Sequence, residues 1–551
     1  MYKNYLAYVK SCNDKKWSRT TMRDQSVETA DKLRGGFYTP LPISTFLVEW
    51  VQGADSVLEP SCGDGSFVKA LQAISSPPRK VYGVELDSVE AKKAAEIIYS
   101  KAHWNIYNQD FLHFNPDLRV DAVVGNPPFI RYQYLSSETQ LLARSIYSRN
   151  SLPFTNHTNA WGPFVIKSLM HLKPGGKLAM VIPAELLNVI HAGGVREFLE
   201  KQAQKVLVID CGDLLFENAL QRTILLLVEK KSDISQSSGL AFCNITQEEL
   251  LKSSAENIWN SAKFFPTPRG SDKWMVGLLS EDEILAMQEF EGNSCVRLFS
   301  EIAKVQVGIV TGANSFFLVS KETIDQFNLY KYAKPMFGRS SHVRGLSFTS
   351  EDHAQNSDLG LPCYFIDLND VQEPIADEGL KSYLSYGESE ELHLRYKTRI
   401  RNPWWKVPSV YSTNLGLLKR SHEIPKLIVN NAHALTTDTA YRITSHINPK
   451  QLSAGWMNSF TLLACELYGR SYGGGVLELV PSEIRRLPVA VHDSLAGTFD
   501  GLDLMVRLGA SPADILEQQN KYVAKALKID PELFELAEQA RIRLFQRRTN
   551  N

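Results

Sequence analysis

Long apolar runs are missing from this sequence, and their absence is the first constraint on it. No stretch reaches the roughly 18 uninterrupted apolar residues that a spanning helix needs, so no membrane partner is expected. The opening MYKNYLAYVKSCNDKKWSR scatters charge along its length and has no apolar core of export-signal type, which points to a cytoplasmic location. Charge imbalance is missing too. With Lys+Arg 60 against Asp+Glu 61 the formal net charge is -1, so any nucleic-acid contact must rest on locally grouped cations. Cysteine is sparse and odd in number: Cys12, Cys62, Cys211, Cys243, Cys295, Cys363 and Cys465 are widely spaced and never form a CxxC pair. That spacing argues against a disulfide framework and against a zinc site, and no metal is expected. Neither a GxxxxGK[ST] phosphate loop nor an acid-acid-x-Lys cluster on a strand occurs, which excludes ATP-driven and fused endonuclease activity from the expectations.

What is present is alternation. At 551 residues the chain exceeds one ordinary core, and several domains are expected. From about residue 40 to 230, short β-branched runs alternate with amphipathic stretches, the pattern of a parallel sheet covered on both faces by helices. Strands are predicted at 56–59, 81–86, 105–109, 121–125, 177–182, 206–210 and 223–228, with helices at 67–74, 89–102 and 161–172. This is a doubly wound, Rossmann-like α/β domain over 35–235, after an N-terminal extension at 1–34. The serine-rich stretch 231–239 reads as a linker or surface loop. Residues 240–490 lose the alternation and read as a mixed, partly β domain. Residues 491–551 form a helical tail, in which Ser511-Pro512 and Asp530-Pro531 offer the start signals of two helices.

The chemistry gathers at predicted strand ends. Val57-Leu58-Glu59-Pro60-Ser61-Cys62-Gly63-Asp64-Gly65-Ser66-Phe67 reads as strand, tight turn and helix, with Gly63 and Gly65 letting backbone approach a ligand. The third glycine of the dinucleotide fingerprint is absent, which suits a cofactor without a pyrophosphate better than NAD. Glu85 ends the second strand, where one carboxylate can grip both hydroxyls of a ribose. Asp110 and Phe111 end the third, an acceptor beside an aromatic face that suits an adenine ring. The fourth strand ends in Val123-Val124-Gly125-Asn126-Pro127-Pro128-Phe129. Two prolines remove two N–H donors and stiffen the turn, leaving carbonyls and the Asn126 side chain as an array of acceptors. An exocyclic amine that donates to such an array gains a lone pair able to attack a methyl sulfonium. Those bonds strengthen as positive charge develops on nitrogen, so they favour the transition state over the ground state.

In this order the motifs resemble those of the TaqI-type, gamma-class N6-adenine DNA methyltransferases of restriction-modification systems. The series runs from Gly36-Phe37-Tyr38-Thr39-Pro40 through the glycine loop, the two acids and the NPP-aromatic motif to the KPGGKLAMVIPA segment and Asp213-Leu214-Leu215-Phe216. The resemblance implies S-adenosylmethionine as cofactor, bound by Tyr38, Thr39, Glu59, Pro60, Gly63, Gly65, Glu85, Asp110 and Phe111. It implies Asn126, Pro127, Pro128 and Phe129 as the catalytic loop, with Phe129 and Phe216 holding a flipped-out adenine, and residues 240–490 as a recognition domain for double-stranded DNA. Phe129 stands where the prototype has tyrosine, and either ring can stack. Cytosine N4 methylation uses the same chemistry, although those enzymes more often carry serine where this chain has Asn126, and the reading stays open to it.

Flipping a nucleotide costs a few kcal/mol of unstacking and unpairing, which basic and aromatic residues must offset. The segment LRYKTRIRNPWWK supplies Arg395, Lys397, Arg399, Arg401 and Lys406 beside Tyr396, Trp404 and Trp405, the composition of a phosphate-gripping surface or of a solvated face over a buried tryptophan pair. Lys334, Arg339 and Arg344 form a weaker second group. A cytosine-C5 enzyme needs a nucleophilic cysteine after proline, and Pro362-Cys363 lies far from the cofactor motifs. Modification subunits of multisubunit complexes carry a sizeable helical domain ahead of the entry segment, whereas here 34 residues precede Gly35. A separate restriction endonuclease is a possible companion of such a chain.

Overall fold

The computed structural model describes residues 39–98, 103–211, 222–233, 236–267, 273–372, 377–472 and 475–549. A nine-stranded sheet organises the first half in the order β3-β2-β1-β4-β5-β7-β6-β8-β9. Its strands are β1 (Ser56–Glu59), β2 (Lys80–Glu85), β3 (Trp104–Asn108), β4 (Val120–Gly125), β5 (Leu172–Pro183), β6 (Ala203–Asp210), β7 (Thr223–Lys230), β8 (Gly239–Asn244) and β9 (Phe265–Pro266). β1 through β5 pair in parallel, while β7 runs antiparallel between β5 and β6. The strand order reverses between β1 and β4, so the loops leaving those two strands diverge and open a crevice at their carboxyl ends.

The long central strands are buried on both faces, which is why β7 reads as an unbroken apolar run (TILLLV) rather than an alternating one. One face is covered by α1 (Leu41–Trp50) and α2 (Ser66–Ala73), whose Phe46, Leu47, Val68 and Leu71 pack on Val57, Val124 and Val181. α3 (Ser88–Ile97) follows β2 and is capped by Asp87, which accepts from the Val89 amide at 2.8 Å. The opposite face takes α4 (Ser137–Arg149), α5 (Trp161–His171) and α6 (Gly193–Gln202).

The stretch 231–239, expected as a linker or surface loop, joins β7 to β8 of this sheet, and its described residues are exposed or half-buried, as a surface loop is. β8 leaves it to pair in parallel with β6, and Leu240 and Ala241 are buried there, so the sheet continues to Pro266, beyond the expected limit at 235. Isolated polar composition could not reveal this, because the apolar content of β8 is only a few residues long. The second half carries a five-stranded, a four-stranded and a three-stranded sheet, the largest ordered Ala303–Val307, Ala440–Ser445, Leu415–Leu418, Leu427–Asn430, Ser347–Phe348. This is the mixed, partly β architecture that the sequence predicts.

The expected helical tail is present as α7 (Pro512–Leu527) and α8 (Pro531–Thr549), the former capped by Ser511, which accepts from the Asp514 amide at 3.1 Å. α8 returns to the first half. Its Phe534 packs edge-on against Phe460, and one continuous core runs from Leu58 in β1 to Leu544 in α8. At its end Arg547 meets Asp210, the last residue of β6, which also binds Arg222 at 2.9 Å, and Arg222 donates to the Arg547 carbonyl at 2.8 Å.

Candidate cofactor and catalytic site

The loop between β1 and α2 is shaped by what can sit at Gly65. Its φ of 86° lies in the left-handed region, and a Cβ there would fall 2.5 Å from Ile97 Cδ1 and 3.2 Å from Ala94 Cα. Glycine therefore lets α2 start hard against α3. Glu85, at the end of β2, accepts from the Gly63 amide at 2.9 Å through one oxygen and from the Asp87 amide at 2.8 Å through the other. The carboxylate is thus fixed against the loop while keeping acceptor capacity on both oxygens.

Asp110 caps the turn Phe111–His113 by accepting from the Leu112 amide at 2.8 Å, and its second oxygen accepts from Thr139 Oγ1 at 3.2 Å. Phe111 packs on Phe164 of α5 with ring centroids 5.1 Å apart. Asn126, Pro127, Pro128 and Phe129 follow β4 directly, and Ser61 of the glycine loop donates its hydroxyl to the Asn126 carbonyl at 2.9 Å. That bond ties the two loops at the switch point into one unit.

A cavity of about 460 Å³ joins these strand ends. Thr39, Glu59, Pro60, Gly63, Glu85, Asp110 and Phe111 line it, and Asn126 and Pro128 close one side. Gly65 serves the turn rather than the cavity wall, and Phe129 is half-buried against the core. Tyr38 and Phe216 lie outside the described residues. Among the described residues, three buried polar atoms of the lining have no partner: Glu59 Oε2, Thr39 Oγ1 and Glu90 Oε2. Glu59 is 1% exposed, and burial, with the Glu85 and Asp64 charges adding to it, pushes its carboxyl well above the ordinary range. A carboxylate-rich cavity with an unsatisfied acceptor at its base suits a cationic ligand that brings its own donors. S-adenosylmethionine, with an ammonium, a sulfonium and an adenine amine, is such a ligand.

The sequence-predicted cations of the second half divide. Arg395, Lys397 and Arg399 are exposed on and beside the short helix Tyr396–Arg399, interleaved with the exposed Tyr396 (71%) and followed by the exposed Ile400 (70%). Arg401 instead donates to the Thr311 and Val310 carbonyls at 2.7 and 2.9 Å, which makes it a strut for that loop. Lys406 is half-buried, and Trp404 belongs to a core with Phe316 and Tyr383. In the weaker group Lys334 pairs with Asp367 at 2.6 Å and Arg344 donates to Asn356 at 3.1 Å, leaving Arg339 exposed. Sequence reasoning passed over Ser61, Phe164 and Lys167. For the last two the signal was spacing, since Phe164, Lys167 and His171 fall at i, i+3 and i+7 on one face of α5.

Residues 21–277 match the family described as N-6 DNA Methylase, and residues 271–524 match the C-terminal domain of Type II methyltransferase M.Eco57I. Type II methyltransferase M.AccI of Acinetobacter calcoaceticus is 24% identical over 471 residues, covering 82% of this chain and 84% of its own length. M.XamI of Xanthomonas campestris pv. amaranthicola is 20% identical over 476 residues, with 84% and 86% covered. Among solved structures the type IIL restriction-modification enzyme MmeI, in complex with DNA, aligns over 92% of this chain and 74% of its own at 11% identity, with a TM-score of 0.53.

Proposed function

We infer that this chain, a member of the N6-adenine DNA methyltransferases of type II restriction-modification systems, methylates the N6 amine of an adenine turned out of duplex DNA within a sequence read by its own second half. The observation that carries the reading is the single cavity in which an acid-lined wall (Glu59, Glu85, Asp110) meets Asn126 and Pro128. S-adenosylmethionine, when bound, supplies a methyl group on a sulfonium that departs as a neutral thioether.

The chain's own residues do the rest. Glu59 and Thr39, each with an unsatisfied buried oxygen, take up the charged methionine end together with Tyr38. Glu85 holds the ribose, and Asp110 and Phe111 hold the adenine of the cofactor. Asn126 Oδ1 and the Pro127 carbonyl accept from the target amine, drawing its nitrogen toward a pyramidal shape as the N–C bond forms and the S–C bond breaks. The amine then loses one proton to solvent. Phe129 and Phe216 keep the flipped base in place by stacking. Ser61 keeps the catalytic loop in register with the cofactor loop through its bond to the Asn126 carbonyl.

Recognition belongs to the second half, because base-edge readout needs side chains delivered into a groove, and Arg395, Lys397 and Arg399 offer phosphate contacts there. The chain works on cytoplasmic DNA, with a separate endonuclease as its natural counterpart. No helix among the described residues is long and apolar enough to cross a membrane. The test is transfer of labelled methyl from S-adenosylmethionine to duplex DNA. The wild-type chain yields N6-methyladenine, while Asn126→Ala yields none although it still binds cofactor and DNA. Near-normal turnover by Asn126→Ala removes the acceptor array from the mechanism.

A further inference from the structure

We propose that Lys167, in the middle of α5, is a positioning residue for the adenine pocket: its ammonium pins the turn that carries Asp110 and Phe111 into the cavity. The proposal rests on the cofactor reading above. Lys167 is buried, and its Nζ donates to the Leu112 carbonyl at 2.8 Å and to the Phe114 carbonyl at 2.8 Å, gripping the middle of the turn that Asp110 caps and the residue that closes it. The same Nζ lies 5.2 Å from the centroid of the Phe111 ring, within cation–π range. An ammonium has three donors, so two carbonyls and one ring face use all of them.

A lysine is a costly way to fill this space. Apart from Asp110 and His171, whose charges or dipoles reach it, Lys167 sits beside the Phe111 ring, and a Met or Leu would pack there without desolvating a charge. What an apolar residue could not do is fix Leu112 and Phe114 at once and so hold the turn, and with it the angle at which the adjoining Phe111 ring meets the cavity. Phe164 and His171, from the same face of α5, complete the backing at 5.1 and 5.7 Å from the Phe111 ring. His171 is held in turn by its contact with the Leu118 carbonyl at 2.9 Å. Lys167 itself is not part of the cavity lining, so it acts through Phe111 and Asp110.

Calorimetry on the full chain, with S-adenosylmethionine and with adenosine as separate probes, tests this. Lys167→Met weakens both by about tenfold, raises KM for S-adenosylmethionine by the same factor, and leaves kcat at saturating cofactor and the affinity for duplex DNA unchanged. Lys167→Arg, which can still reach two carbonyls, regains most of the affinity. If the Met variant fails to fold, Lys167→Gln, which keeps a donor and loses the charge, is read in the same way. Unchanged cofactor affinity in a folded variant overturns the proposal. So does a loss confined to kcat, or a loss seen with S-adenosylmethionine and not with adenosine. Failure of the wild-type chain to bind S-adenosylmethionine refutes the cofactor reading itself, which separates the two ideas.

Discussion

Glu59→Gln separates what the cavity costs the fold from what it gives the ligand. Glu59 is 1% exposed, its Oε2 has no partner among the described residues, and Glu85 and Asp64 add like charge. In the free protein its ionised form is therefore a liability. Because the folded-state pKa is raised above the ordinary 4.5, the neutral form favours folding, and that advantage is lost as pH rises from 4.5 through the folded value. Gln has the same shape and no charge. The variant without ligand is expected to be at least as stable as wild type at pH 7.5, and to lack the part of the decline in stability on raising pH that Glu59 causes.

With cofactor the sign reverses. A hydrogen bond to a charged group contributes about 1.5–3 kcal/mol, so losing the ammonium contact weakens S-adenosylmethionine by roughly 10- to 150-fold. Thermal unfolding with and without cofactor, together with calorimetry, reads both effects on the same samples. A Glu59→Gln protein that is clearly less stable without ligand and binds S-adenosylmethionine as tightly as wild type refutes the reasoning, since Glu59 would then be a satisfied structural carboxylate.

Other expectations follow from separate parts of the molecule. Asp210 is 3% exposed in its side chain; burial works to raise its pKa, but Arg547 and Arg222 outweigh burial and hold it below the ordinary carboxylate range. Asp210→Asn leaves two guanidiniums facing each other and costs about 3–5 kcal/mol in denaturant unfolding, while a loss under 1 kcal/mol would mean the cluster is not a fastening. The same depressed pKa gives wild type a stabilisation present above about pH 4 and lost as pH falls through the folded value, a slope that Asp210→Asn lacks. Replacing Arg395, Lys397 and Arg399 together by Ala weakens duplex binding and flattens its dependence on salt, with little change in cofactor affinity. An unchanged salt slope in filter binding moves the phosphate contacts elsewhere.

The first half of the fold was legible because its signals are local and strong. Strands such as 206–210 and 223–228 are nearly unbroken runs of β-branched residues and leucine, and Gly65, Asp110 and Asn126-Pro127-Pro128 mark the loops that follow strands. The boundary near 235 was misplaced because β8 is recognisable only by its partner β6, a contact that composition does not encode. The strand-end residues that line the cavity, Glu59, Glu85, Asp110 and Asn126, were legible because each stands at or just after the end of a strong strand signal. Those that act through a neighbour, Ser61 on the Asn126 carbonyl and Lys167 on the turn carbonyls, were not, since serine in a loop and lysine in a helix are ordinary in sequence and gain meaning only from tertiary distance. In the second half, Arg401 and Arg399 look alike along the chain, yet one is a strut on Thr311 and the other faces solvent.

The central claim is tested most directly by modification-detecting sequencing of DNA from cells that express only this chain. The account predicts N6-methyladenine at every copy of one short sequence, absent when Asn126 is changed to Ala. Unmodified adenine throughout, or a mark at cytosine N4 instead, would contradict it.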